Sequence, residues 1–229
     1  MTPDLPQVES YIVQMANDFR ASEQRAALRR DPRLDAIAKS YARYLARTGK
    51  FSHTADGRKP AERAQRGGYA FCQVAENLAL NRDSRGFKSR QLASLAMTGW
   101  KNSPGHRRNL LRRYVTEIGV GVAKAPETRT YISVQLFGRP DALKMTFKVR
   151  NTSGARVTYR YGSDEHRIDP RVEATHTVCQ PGRVEFLFSG NSGQRQPLGE
   201  AFPVSNADMF LIRRGQSGRV VVNQRAGVN

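Results

Sequence analysis

Apolar residues recur at helical spacing near the start of the chain. Val8, Ile12, Met15 and Phe19 form one stripe and predict a helix from about Gln7 to Leu28. Asp31-Pro32 breaks the pattern, with Pro32 suited to a first helical turn. A second stripe follows, Leu34, Ile37, Ala38, Tyr41 and Leu45, with Lys39, Arg43 and Arg47 on the opposite face; both stripes read as core faces. Gly49-Lys50 ends this helix, and Phe51 to Gly57 is a polar turn carrying His53. A short helix from Pro60 to Gln65 stops at Gly67-Gly68, and Val74 to Leu80 sets Glu76 among apolar neighbours. Asn81 to Gly86 is a polar loop, and Lys88 to Lys101 a helix built on Leu92, Leu95, Ala96 and Trp100.

The stretch from Gly99 to Ala123 holds the densest signals. Ser103 suits a helix N-cap, its hydroxyl accepting from an orphan N–H, and Pro104 suits the first helical position. His106 then falls in the first turn, on the face of Leu110 four residues later. Glu117 to Val122 reads as a strand, with Ile118, Val120 and Val122 on one side and Gly119 and Gly121 allowing close approach on the other. Thr130 to Phe137 makes a second strand, joined to the first by a turn around Lys124 to Thr128. Helices around a small antiparallel sheet predict a three-layer α/β/α sandwich.

After Arg139-Pro140 the texture changes. Met145, Phe147 and Val149 alternate with polar residues, as do Val157, Tyr159 and Tyr161. Thr175–Cys179, Arg183–Phe188, Met209–Arg213 and Arg219–Asn223 add further short runs. The breaks are Asn151 to Gly154, Gly162 to Asp164, Gln180 to Gly182, Gly190 to Gly193 and Gly215 to Gly218. Short alternating strands between such turns predict a small all-β sandwich-like module. The expected division is therefore 1–140 and 141–229. His166 and His176 sit in this module without metal-like partners and read as surface or strand residues.

The chain has 229 residues and a net charge of +18, from 38 Lys and Arg against 20 Asp and Glu. Up to Pro140 the balance is 25 against 12, so the excess lies mainly in the first domain. Such an excess is either a solvated surface or a field that attracts an anionic partner: nucleic acid, acidic lipid or an envelope polymer. With neither an aromatic-basic RNA motif nor zinc-finger spacing, nucleic acid is not favoured. Arg107, Arg108, Arg112 and Arg113 crowd beside His106, and Arg58, Lys59, Arg63 and Arg66 follow His53. Both clusters are expected to rim one cleft. No apolar run approaches the length of a transmembrane span. Met1-Thr-Pro opens into a polar segment without the pattern of a secretory leader, expected to be absent or already removed.

Two cysteines, Cys72 and Cys179, are too few for a disulfide framework. A bond between them would close a loop of 107 residues, worth roughly 4–5 kcal/mol in the chain-entropy description; two unrelated buried thiols are the alternative.

Five ordered blocks, FSHTADGRKPAERAQRGGY, AENLAL, GWKNSPGHRRNLL, EIGVGVA and YISVQLFGRP, resemble a bacterial member of the CAP superfamily. Its namesakes are cysteine-rich secretory proteins, antigen 5 and pathogenesis-related proteins. The resemblance covers about residues 7–139, including Asn17 and Arg20. It implies an α/β/α sandwich, a secreted or periplasmic location, and a cleft lined by two histidines and acidic residues. His53, Glu76 and His106 fall on three cleft positions; the fourth, often glutamate, is Ser103 here, and Ala75 replaces a usual glycine. Two imidazoles and a carboxylate make a zinc set with an open position one reading of the site. Otherwise no cofactor is required, and Glu76 pins neighbouring loops. The resemblance implies no agreed enzymatic activity. The expected function is binding at the cell envelope, to an anionic lipid or polysaccharide. The alternative is a metal-assisted hydrolase using His53, Glu76 and His106.

Overall fold

The computed structural model describes residues 1–189 and 194–227; the Gly190 to Gly193 turn lies outside the described residues. The chain divides into two units, Met1–Leu143 and Lys144–Asn229.

The first unit begins with α1 (Leu5–Ser22), whose Asp4 side chain caps it by accepting from the Gln7 N–H. The helix ends six residues before the predicted Leu28. The chain folds back there because Arg20, fully buried, donates Nε to the Ala26 carbonyl at 2.8 Å, while Asn17 clamps Leu28 through both its N–H and C=O. A two-residue strand β1 (Arg29–Arg30) leads into α2 (Pro32–Thr48). Asp31 caps this helix by accepting from Arg33 and Leu34, and Gly49 closes it in the left-handed conformation that glycine adopts without strain. Then follow α3 (Pro60–Arg66), β2 (Phe71–Arg82), α4 (Ser89–Asn102), α5 (Pro104–Leu110), β3 (Glu117–Lys124) and β4 (Thr130–Pro140).

The sheet order is β1-β3-β4-β2, with β2, β3 and β4 antiparallel and β1 parallel to β3. One core joins α1, α4 and α5 to Ile118, Val120 and Phe137. Another joins α2 to Leu78, Val134 and Leu136 on the opposite face. This is the three-layer α/β/α sandwich expected. Gly119 and Gly121 allow a close contact, since a Cβ on Gly119 would run into the Leu34 backbone and one on Gly121 into that of Lys39. The α2 backbone therefore lies directly on β3. The free edge of β3 is closed by carboxylates: Val120 N donates to Asp35 Oδ1 at 2.8 Å and Val122 N to Glu9 Oε1 at 3.2 Å. Glu9 is 2% exposed, held by Lys39 and Arg30. At the other edge the Trp100 indole donates to the Leu78 carbonyl at 2.9 Å.

The second unit holds β5 (Met145–Asn151), β6 (Val157–Tyr161), β7 (Asp164–Ile168), β8 (Glu173–Val178), β9 (Arg183–Ser189), β10 (Arg195–Pro197), β11 (Phe202–Pro203), β12 (Asp208–Arg214) and β13 (Val220–Arg225). One sheet runs β10-β9-β6-β7, with β11 also on β9, and the other β13-β12-β5-β8. Phe147, Val149, Phe210 and Ile212 of one share a core with Val157, Tyr159, Val184 and Phe186 of the other, as a β-sandwich requires. Strand β7, sequence DEHRI, is a polar edge strand with Ile168 as its buried residue, so alternation gave no sign of it. It pairs with β6 through a two-residue turn at Gly162-Ser163, Gly162 having φ +61°.

His166 and His176, expected as surface or strand residues, meet with ring centroids 4.7 Å apart. His176 stacks on Phe147 and shares a 2.7 Å hydrogen bond with the Tyr159 hydroxyl. Burial, reinforced by His166, holds the His176 imidazole below its ordinary value, and burial pushes Tyr159 up to about 12.

Two outcomes follow from these packings. Gly121→Ala should destabilise the first unit by about 3 kcal/mol or more, since backbone rather than a mobile side chain must move; denaturant unfolding reads this directly. For His176, the unfolded chain takes up a proton at a higher pH than the native one. Stability is full above about pH 6.5 and falls as pH drops from there through the depressed native value. Unfolding midpoints of the second unit should therefore decline between pH 7 and 5, less so in His166→Gln.

Candidate functional site

The site is organised on α3 and the edge strand β2. Arg63 is the inward residue of α3, 8% exposed, and a buried guanidinium must be paired. Its Nη2 donates to Glu76 Oε2 at 2.7 Å and to the His53 carbonyl at 3.0 Å. Its Nη1 donates to Asp56 Oδ1 at 2.9 Å and to the Arg58 carbonyl at 2.6 Å. The guanidinium carbon lies 3.4 Å over the Tyr41 ring centroid, a cation–π geometry. The Tyr41 hydroxyl donates to the Ser52 carbonyl and accepts from Ala55 N, and the Tyr44 hydroxyl donates to the Ala55 carbonyl. The polar turn from Phe51 to Gly57 is thus folded around one arginine and two tyrosines.

Glu76 is 5% exposed and each of its carboxylate oxygens has a partner. Oε2 takes Arg63, and Oε1 lies 2.8 Å from His53 Nδ1. That contact orients the imidazole, whose side chain remains 48% exposed. The Glu76 carbonyl accepts from Asn109 Nδ2 at 3.1 Å. Asn109 also donates to Asn77 Oδ1 at 3.0 Å, and Asn77 donates to the His106 carbonyl and to Gln135. This chain of amides fastens α5 to β2. Arg20 completes it from below, donating to the Leu110 and Arg112 carbonyls at 2.7 and 3.1 Å; burial lowers its own value to about 10. Leu110 is fully buried, and His106, on its face, is half-buried. Burial holds the His106 imidazole below its usual value, and the His53 imidazole adds to the effect. His53 and Glu76 are therefore a bonded pair, and His106 lies on the helix that Asn77 and Asn109 fasten to the Glu76 strand.

Ser103 stands at the N-cap of α5 with extended backbone, but its side chain makes no capping bond. Pro104, at N1, removes one orphan donor, and the Ser103 carbonyl accepts from Arg107 N. Arg63 also departs from the expected cationic rim: it is an internal ion-pair partner. Arg107 is engaged too, by Glu23 at 2.7 Å and the Phe19 ring. Arg108 and Arg113 remain exposed.

Among the described residues no group of three His, Cys, Asp or Glu side chains is placed to hold a metal ion. Of the expected set of His53, Glu76 and His106, Glu76 is engaged by Arg63 through Oε2 and by His53 Nδ1 through Oε1.

Sequence reasoning missed the amide chain Asn77, Asn109 and Gln135, and the inward role of Arg63. Arg63 adjoins Ala64, also buried, but a seven-residue helix is too short for periodicity to separate an inward arginine from an outward one.

A 29% identical segment of 125 residues relates the chain to the uncharacterized membrane protein YlbC of Bacillus subtilis (strain 168). The match covers 54% of this chain and 34% of that protein's own length. Among solved structures, an outer surface protein from Borrelia burgdorferi is similar at TM-score 0.52 and 24% identity, over 58% of this chain and 93% of that one. An extracellular protein containing a SCP domain from Bacillus anthracis str. Ames is similar at 0.48 and 27%, over 59% and 41%.

Arg63 also makes the site testable. Arg63→Met should cost about 3–5 kcal/mol by stranding the buried Glu76 charge. The double variant Arg63→Met/Glu76→Gln should recover a substantial part, as read by a double-mutant cycle in urea. Equal losses in the single and double variants would show that the pair is not what holds the turn.

The family model for the cysteine-rich secretory protein (CAP) family matches residues 13–137, more than half of the chain, and the α/β/α sandwich carrying His53, Glu76 and His106 lies over that span: the chain belongs to this family.

Proposed function

We propose that this is a binding protein of the cell envelope, secreted or periplasmic, whose partner is an anionic lipid or polysaccharide. The observation that carries the reading is the engagement of Glu76 by Arg63 and His53. A carboxylate fixed by Arg63 and His53 and 5% exposed is a structural post, which positions His53 at the surface rather than serving as an open base. Arg108, Arg113, Lys59 and Arg66 are exposed on the two segments that carry His106 and Arg63, so the site faces solvent in a positive field. The secretory name of the family and the membrane protein among its relatives support an envelope location.

The alternative, a metal-assisted hydrolase at His53, Glu76 and His106, has one observation in its favour. With Nδ1 held by Glu76, His53 presents Nε2, the ring nitrogen a general base or ligand would use. Turnover of peptide or ester panels that is lost in His53→Ala would favour it.

The binding reading expects retention on phosphatidylglycerol vesicles or acidic envelope polymers that weakens steeply between low and physiological salt, where exposed charges are screened over about 8–10 Å. Arg108→Glu/Arg113→Glu should weaken it further with unfolding unchanged; salt-independent retention would overturn it. Neither cysteine is free, which supports a Cys72–Cys179 disulfide. Thiol titration of unreduced, denatured protein should find no reactive group, and finding two would exclude the bond.

A further inference from the structure

A concavity lies beside Arg63. It holds about 470 Å³ between α2 and the segment that leads into and through α3, within the range of small-ligand sites. Its floor is buried Ile37 and Tyr41. Tyr44, half-buried, lies parallel to Tyr41 at 6.2 Å between centroids. Both rings are immobilised by their hydroxyl bonds to the 51–57 turn. The rim is exposed and polar: Ser40 on one side, Arg58 and Arg66 on the other. Three guanidiniums line the dish with one carboxylate, Asp56; Arg63 is taken by Asp56 and Glu76 at 2.9 and 2.7 Å, so the excess positive charge rests on Arg66 and on Arg58, 3.5 Å from Asp56. Gly67 lets the end of α3 come this close, because a Cβ there would meet the Ile37 side chain.

We infer that this dish binds one acidic pyranose residue of a polysaccharide, its ring on the Ile37/Tyr41/Tyr44 floor and its carboxylate at Arg58 and Arg66. The floor is apolar and fixed, as a ring face requires, and its cost of ordering is already met in the free protein. The surround is open, so an acyl chain would keep one side in water and lose much of the gain from burial. A carboxylate carried directly on a ring places its charge at the rim while the ring covers the floor. Arg66 offers a planar fork for it. Ser40 and the remaining guanidinium donors suit ring hydroxyls. The inference takes from the proposed function the anionic character of the partner and adds its chemistry and its place.

The test uses tetragalacturonate, its fully methyl-esterified form and phosphatidylglycerol vesicles, each titrated into the intact chain at physiological salt. Tetragalacturonate should bind, and the neutral ester, with the same rings, should bind at least about tenfold more weakly, the loss expected for one charged hydrogen-bonded contact. Ser40→Trp, which fills the dish from the exposed face of α2, and Arg66→Glu, which inverts its charge, should each lose a comparable factor. Absence of tetragalacturonate binding, equal binding of the ester, or binding indifferent to Ser40→Trp overturns the inference. Vesicle binding blocked by Ser40→Trp also overturns it, by making the occupant a lipid. If tetragalacturonate fails while vesicles still bind in a salt- and Arg108-dependent way, the dish falls and the envelope reading stands.

Discussion

A guanidinium withdrawn from water must find acceptors on every side, and Arg63 meets that demand by gathering chain from three places. Glu76 comes from an edge strand, Asp56 and two carbonyls from a turn, and the Tyr41 face from the preceding helix. Nε is left without a partner among the described residues, on a group stacked on an aromatic ring. The energetic logic is asymmetric. The assembled cluster gains little over an apolar equivalent, but removing any one member strands a charge. A turn with few apolar side chains of its own thereby acquires a defined conformation, and His53 acquires a fixed place beside Glu76.

The sheet reaches the same end by another route. Its two edges expose backbone groups that must be satisfied, and the chain does so with side chains rather than further strands. At β3, Asp35 and Glu9 accept the edge N–H groups, and Gly119 and Gly121 bring α2 close enough for Asp35 to reach. At β2, the Trp100 indole and Asn109 amide donate to edge carbonyls. The second closure also reaches the candidate site. Asn109 belongs to α5, so the bond that seals the edge at Glu76 also positions the helix that carries His106. Fold satisfaction and site assembly are one set of hydrogen bonds.

This explains what could be read from the residues alone. The helix stripes, the Gly119/Gly121 approach and the alternation in β5, β6 and β9 are periodic, and periodicity is visible in a sequence. The grouping of His53, Glu76 and His106 was expected through a resemblance spread over five blocks; the structure bonds His53 to Glu76 and fastens the helix of His106 to β2. What stayed hidden is aperiodic. Arg63, Arg20 and Glu9 are charged residues turned inward, and their partners lie up to 113 residues away, as between Glu9 and Val122. Nothing local distinguishes them from solvated charges. The His166–His176 contact was hidden for the same reason, because it joins the last strands of two different sheets.

The inward charges also change how the net +18 should be understood. Arg20 and Arg139 spend their donors on backbone carbonyls, while Arg29, Arg30 and Arg33 are committed to Glu117, Asp35 and Asp31. Those pairings consume the acidic residues as well: Glu9, Asp56 and Glu76 all lie within internal ion pairs. An acid neutralised inside the fold cannot screen a cation on the surface. The outward field is therefore set by the cations left over, and around the site these are Arg108, Arg113, Lys59 and Arg66, all exposed. A basic composition alone is compatible with mere solubility. The exposed cations beside the histidines and the aromatic-floored dish are the feature on which the proposed anionic partner rests.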